Sequence, residues 1–554
     1  MSAAVRPRLS GQARLLFWTS MLVPLAGLAL FFLYPMAIVV RRSVTLGDGS
    51  LGLDNYIRIL GQSHIWGVLG NSLVMSGLTT LICITLGFAI AYALQRTRMP
   101  LRWLVSLALV LPLLAPSLVQ ALGLIFLFGR NGLINQWTGW GIQIYGLPGL
   151  VISNTMYALP QAVMIIGAAL RHSDTRQYDA ARVLGASPWR RFVDITLPGA
   201  RFGLLSAGFV SFTITITDFG NAAVVGGNYR VLATEIYAQV VGQMNFNMGA
   251  VIGIMLLIPT LLAVYLEKLA SRREGASESA IPVQPDRAWK RDLVLGTLSQ
   301  ATALVVIAVV ATVVFASFVR LWPYRLEMTF QNYNITQENG YKPLWTSLYA
   351  STLTAVIGTT LLFALTVAQR QLGRGMAKAV YLLAIVPVGV PGLVLGLSYV
   401  LAFNTRAIFP GMLYGTALLI ALCNFYHYHS QGFLTMVTGI RTVPPALEET
   451  VTCMGGGPLR GLRDAVLPVM SPVLVTVFFF LFMRGMVTLS AVIFLISPTV
   501  SVGAVSVLRL DQAGYSTQAA AFSVCIMLVV LAALGLMRAI LWLMSRRREV
   551  AAAA

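Results

Sequence analysis

The sequence predicts an all-α integral membrane protein of about twelve transmembrane helices, organised as two parallel six-helix repeats. Three observations carry this: a shortage of charge, apolar blocks of membrane-spanning length, and an ordered internal duplication. Of the 554 residues 57% are hydrophobic and 10% charged, whereas soluble domains carry about 25% charged residues. So few charges cannot clothe a chain of this length in water. The apolar residues fall into blocks of about 20, the length that crosses a bilayer core of about 30 Å as helix. Lipid offers the backbone no hydrogen-bond partner, so such blocks are helical.

Taken in order, the helices are expected at about 15–40, 72–94, 104–128, 148–170, 204–227, 249–267, 293–319, 347–368, 379–403, 413–436, 471–495 and 518–544. The first block, Leu15–Val40, is longer than a secretory h-region and no A-x-A-like site follows it, so it reads as a retained helix. The net charge of +20 invites a nucleic-acid reading, but the placement of the charges opposes one. Most of the 39 Lys and Arg fall on the side of both termini. That is the positive-inside pattern and predicts cytoplasmic termini, with Arg41 and Arg42 going against it. Cys83, Cys423, Cys453 and Cys525 lie far apart, which points to neither a disulfide framework nor a metal site.

The duplication is legible residue by residue. Leu53-Asp54-Asn55-Tyr56 returns as Phe330-Gln331-Asn332-Tyr333, and Asn71-Ser72 as Thr346-Ser347. Gln95-Arg96 returns as Gln369-Arg370, and Pro112 with Pro116 as Pro387 with Pro391. Chance similarity of Leu-rich helices does not produce an ordered set of polar and proline matches. The halves are therefore 1–270 and 292–554, joined by a cytoplasmic linker at 271–291 that is rich in charge, Ser, Ala and Pro. Six helices per half give both copies one orientation, related by a pseudo-twofold axis along the membrane normal. The paired prolines free backbone carbonyls and kink their helices.

The longest cytoplasmic loop of each half holds the most specific signal. The first runs Gln177-Tyr178-Asp179-Ala180-Ala181-Arg182-Val183-Leu184-Gly185-Ala186-Ser187-Pro188 and on to Leu197-Pro198. The second runs Leu447-Glu448-Glu449-Thr450-Val451-Thr452-Cys453-Met454-Gly455-Gly456-Gly457-Pro458 and on to Leu467-Pro468. Each reads as a short helix ending at a glycine able to take positive φ. Ser173 or Thr175 is placed to cap the first, and Pro444 suits the first turn of the second. The pair resembles the E-A-A-x-x-x-G loop of binding-protein-dependent ATP-binding cassette (ABC) importer permeases, with Asp179 for Glu in the first copy. Thr450 and Val451 replace both alanines in the second.

The resemblance covers nearly the whole chain and implies a permease subunit, not an enzyme, with its helices around a central translocation pathway. It makes Asp179, Ala180, Ala181, Gly185, Pro198, Glu449, Thr450, Gly455 and Pro468 the residues that couple to an ATPase. No G-x-x-x-x-G-K-[ST] loop is present to cradle phosphates. The resemblance therefore implies a separate ATP-binding subunit holding ATP and Mg, as two copies, and an extracytoplasmic solute-binding protein. It implies a multi-pass protein of the bacterial cytoplasmic (inner) membrane, with no cofactor in this chain and no nucleic-acid partner.

For the substrate, Ile216-Thr217-Asp218-Phe219-Gly220 and the stretch Gly226–Tyr237 look most like 2-aminoethylphosphonate permeases. Ferric iron permeases share a similar Asp-Phe-Gly, and thiamine permeases are fused in the same way. Arg484 interrupts the apolar run Val473–Leu495 just after Phe478-Phe479-Phe480. A cation at membrane depth costs at least ~2.5–3.5 kcal/mol unless it faces a partner or water. An Arg fork suits phosphonate oxygens, and a structural ion pair or a snorkelling residue near a helix end stays open beside that reading. Asp218, Asn424 and His427 are the other candidates for the pathway. His427 and His429, two residues apart on a helix, point about 200° apart and do not share a metal. An ion-coupled secondary transporter would carry carboxylates inside its helices and has no use for paired coupling loops. A membrane enzyme would show a catalytic cluster, and none has the spacing for one.

Overall fold

A computed structural model describes residues 11–271, 281, 283–284, 288–404 and 413–553. Most of the linker expected at 271–291 lies outside the described residues. Among the described residues ten helices are long and apolar enough to cross a membrane, including Arg14–Ser43, Ser63–Arg96, Leu147–Arg171, Trp289–Ser317, Lys342–Gln371 and Ser516–Arg547. The ninth expected helix is a bent pair, Arg374–Gly389 and Gly392–Phe403, turning through 101°. The tenth is Ala417–Ile440.

Two of the expected helices are broken rather than kinked. The third splits at the 3₁₀ turn Leu111–Leu114, which holds Pro112, and resumes at Leu118 beyond Pro116. The ninth splits in the same way at Val386–Gly389, which holds Pro387, and resumes at Gly392 after Pro391. Two residues without an N–H, four apart, remove consecutive supports from one side of the helix, and the backbone turns there.

The fifth and eleventh helices are shorter than their hydropathy implies. They end at Ile216 and Val487, not at 227 and 495. The apolar residues that follow fold as turns and short helices, Gly220–Val225 and Leu232–Tyr237 in the first half and Gly503–Gln512 in the second.

The repeated Asn-Tyr has a clear task. Asn55 Nδ2 donates to the carbonyls of Ser43 and Thr45 at 3.2 and 2.8 Å. Asn332 Nδ2 donates to those of Ser317 and Val319 at 3.1 and 2.7 Å. Tyr56 and Tyr333 hydroxyls meet Ser43 Oγ and Ser317 Oγ at 2.8 and 2.9 Å. Each pair thus satisfies orphan carbonyls where the first helix of its half stops.

Packing divides the chain into two compact units, neither continuous in sequence. One comprises Val40–Tyr341 with Gly503–Met527, the other Met1–Val39, Lys342–Val502 and Leu528–Ala554. The opening helix of each half therefore packs, for most of its length, with the helices of the other half. In the first unit Trp289–Ser317 lies so close to Gly123 that a Cβ there would meet Val309 Cγ1 at 2.6 Å. In the second unit the Tyr399 hydroxyl donates to the Phe31 carbonyl at 2.6 Å, where a π-helical turn loosens that helix. The Phe31 ring also stacks on Tyr426.

Candidate functional site

The two loop segments fold alike. The first helix, Thr175–Val183, is capped by Asp174, whose carboxylate accepts from the Arg176 N–H at 3.0 Å. Neither Ser173 nor Thr175 is the cap: Thr175 already has helical position, and Asp174 is the residue in extended backbone. The second helix, Pro445–Cys453, has Pro444 at the cap position and Pro445 in the first turn. Each ends in the same left-handed turn, with Gly185 at φ 76° and Gly455 at φ 77°. Ala186 N–H donates back to the Ala181 carbonyl at 2.9 Å, and Gly456 N–H to that of Val451 at 2.8 Å. That bond from beyond the left-handed residue satisfies carbonyls left open at the helix end.

Size is exchanged between the copies at this turn. The first pairs Ala181 with Ala186. The second pairs Val451 with Gly456, where a Cβ would meet Val451 Cγ1 at 2.5 Å. The bulkier residue at 451 is accommodated by a glycine five positions on.

Both segments then pass through a short helix and a π-helical turn, Phe192–Thr196 or Leu462–Val466, into the membrane helix that opens with Leu197-Pro198 or Leu467-Pro468. The wider turn suits a proline, whose ring clashes with the carbonyl four residues back in a regular helix.

Asp179, Ala180, Glu449, Thr450 and both turn glycines are exposed, and Ala181 is half-buried. Large apolar side chains are uncovered beside them, Leu184 at 86% and Met454 at 79% exposure. The Thr450 hydroxyl is bonded to its own helix, at the Ala446 carbonyl.

Each segment is fastened by an arginine from the end of the second helix of its own half. Arg96 Nη2 donates to the Leu170 carbonyl at 2.9 Å, and its guanidinium lies 5.3 Å over the Tyr178 ring. Arg370 Nη2 donates to the Val443 carbonyl at 3.0 Å, and its Nη1 pairs with Glu448 at 2.9 Å. The Gln-Arg repeat signalled these residues in the sequence; their role became visible only with their partners.

The four pathway candidates fall in different units. Asp218 is buried in the first, where its carboxylate accepts from the Asn221 N–H at 2.9 Å and so holds the start of Gly220–Val225. Asn221 Nδ2 donates to Asn154 at 3.2 Å. Arg484, Asn424 and His427 lie in the second unit. Arg484 stands in the last turn of Leu467–Val487, not mid-helix, because that helix stops at 487. Its guanidinium lies 5.8 Å over Tyr428 and 5.9 Å over Phe480. No carboxylate pairs with it among the described residues. His427 is adjacent, its ring 4.5 Å from that of Tyr428, while Asn424 is buried one turn away. His429 is a core residue, its Nδ1 3.0 Å from the Ala384 carbonyl.

Two exposed loop helices of one design thus stand on a polytopic α-helical chain. Residues 83–275 match the family of binding-protein-dependent transport system inner membrane components. The chain is 31% identical over 186 residues to the molybdenum transport system permease protein ModB of Azotobacter vinelandii, covering 32% of this chain and 82% of that one. It is 27% identical over 525 residues to the ferric transport system permease protein FbpB of Actinobacillus pleuropneumoniae, covering 91% and 75%. Over 271 residues it is 24% identical to a Salmonella typhi protein named as a 2-aminoethylphosphonate transport system permease, PhnU, covering 47% and 93%. The chain belongs to this family: it is a multi-pass permease subunit of an ABC importer.

Proposed function

We propose that the helices Thr175–Val183 and Pro445–Cys453 seat on a separate ATP-binding cassette subunit, a homodimer with one copy under each. In this reading Asp179, Ala180, Ala181, Gly185 and Pro198 couple one half, and Glu449, Thr450, Gly455 and Pro468 the other. ATP and Mg belong to that partner. An extracytoplasmic solute-binding protein delivers the solute, and the chain lies in the bacterial inner membrane with both termini cytoplasmic. Residues 1–270 and 292–554 are the two permease domains. The supporting observation is the matched exposure of Leu184 and Met454 beside their left-handed glycines, since bare apolar side chains clustered on a loop mark a partner surface.

The solute in this reading is 2-aminoethylphosphonate or a related organophosphonate, met by Arg484 with Asp218, Asn424 and His427 along the pathway. What supports it is a half-buried guanidinium framed by two rings and without a carboxylate among the described residues. A second reading, ferric iron, is favoured by the likeness to FbpB along 91% of the chain; thiamine remains a third. Uptake of labelled 2-aminoethylphosphonate and of labelled ferric iron in cells separates them. Losing a charge-assisted hydrogen bond costs about 1.5–3 kcal/mol, so Arg484→Leu should lower phosphonate uptake about tenfold or more. Arg484→Lys should rescue only partly, keeping the charge but losing the fork. Normal uptake by an Arg484→Leu variant present at normal levels removes the residue from the pathway.

A further inference from the structure

The first loop helix is held at its start by the chain that joins the two halves. Thr175 is the first residue after the cap, so its N–H is one of the donors that a helix leaves without an internal partner. It donates to the carbonyl of Ile281 at 2.9 Å. Two residues further along the linker, the Val283 carbonyl accepts from Arg96 Nη1 at 3.4 Å. The same guanidinium donates to Leu170 and covers Tyr178. One arginine thus joins the second membrane helix, the fourth, the loop helix and the linker.

The second half is arranged differently at each of these points. The residue matching Thr175 is Pro445, which has no N–H to give. Arg370, matching Arg96, is occupied by Val443 and by Glu448. The first copy has Tyr178 where the second has Glu448, so the first lacks the carboxylate clasp at the point where it gains the linker.

We propose that Ile281 and Val283 form a positioning strap, by which the linker sets the seat of the first coupling helix. The second is positioned by its own Arg370–Glu448 clasp. The strap rests on the coupling role proposed above, and it makes the linker part of the coupling machinery of a fused chain instead of a tether.

Thr175→Pro isolates the contact. Proline is tolerated at the first helical position. Asp174 already has the extended backbone, φ −88° and ψ 126°, required before proline. The cap bond from Asp174 to the Arg176 N–H is untouched. Two measurements are made on the full chain with its ATPase in membranes: hydrogen exchange along 176–183 and 446–453, and solute transported per ATP hydrolysed. The expected result is exchange several-fold faster in 176–183 alone, with transport per ATP reduced two- to fivefold at normal accumulation.

A second probe is the pair Thr175→Cys with Ile281→Cys, in a background where Cys453 and Cys525 are serine. It should cross-link on oxidation or with a short bifunctional thiol reagent, since the backbone hydrogen bond holds the two segments a few ångströms apart whichever way the side chains face. Failure of the cross-link overturns the strap. So does a Thr175→Pro chain with unchanged exchange and unchanged transport per ATP. If the exchange contrast appears but transport in the parent chain is not driven by ATP, the coupling reading fails and the contact stands.

Discussion

The two loop segments share one backbone and hold it by different means. Helix, left-handed glycine, returning N–H, π-helical turn and Leu-Pro recur at 175–198 and 445–468. What varies is how each is fastened and filled. The first uses a cation over the Tyr178 ring and the linker's carbonyls; the second uses the Arg370–Glu448 ion pair. The first fills its turn with two alanines, the second with a valine and a glycine. Positive φ and a helix end oblige particular backbone groups, which only a few residues satisfy. A clasp needs only some attraction across a few ångströms, which several residue pairs supply.

The largest effect should come from the shared element. Neither Gly185 nor Gly455 has any atom within 4 Å of an added Cβ, so the whole penalty of substitution is conformational. A left-handed residue costs roughly 1–2 kcal/mol even before β-branching adds to it. Gly185→Val and Gly455→Val should therefore weaken ATPase association to a similar degree. Together they should abolish ATP-driven uptake in cells, and transport by the double variant at the normal rate would remove both loops from the mechanism.

The clasps should separate the copies. Glu448→Gln should reduce ATP turnover about threefold and erase the salt sensitivity of the second segment, because its partly exposed ion pair is screened. Tyr178→Phe keeps the ring under Arg96 and loses only the bond to Thr196 Oγ1 at 2.9 Å, about 1 kcal/mol. It should leave salt dependence unchanged. ATPase assays between low and high salt read both, and equal responses would break the distinction drawn here.

The smallest effect concerns filling. Gly456→Ala should loosen the second segment by about 1 kcal/mol through contact with the Val451 side chain and carbonyl, and Val451→Ala should restore the side-chain part of it, approaching the Ala181–Ala186 pair. A double-variant cycle on the binding of the ATPase subunit measures the coupling. Additive effects would mean that the two positions are independent.

Sequence alone established the membrane class, the all-α architecture, the ordered repeat and the paired loops with their glycines. These are properties of local composition, since transfer of an apolar block into lipid and the positive φ of a turn are decided by the residues themselves. It also located both pairs of helix-breaking prolines, and in the Gln-Arg repeat it marked two residues whose purpose it did not reveal. Tertiary structure decided where the fifth and eleventh helices stop, which moved Arg484 from mid-helix to a helix end. Hydropathy measures the preference for lipid or protein interior over water, and a largely buried stretch of turns and one short helix, such as 217–226, is as apolar as a membrane helix. Structure also decided that the first and seventh helices pack largely with the opposite half, and that the linker's carbonyls meet Thr175 and Arg96. Those depend on contacts between residues a hundred or more positions apart, set by which surfaces fit, and no periodicity along the chain records them.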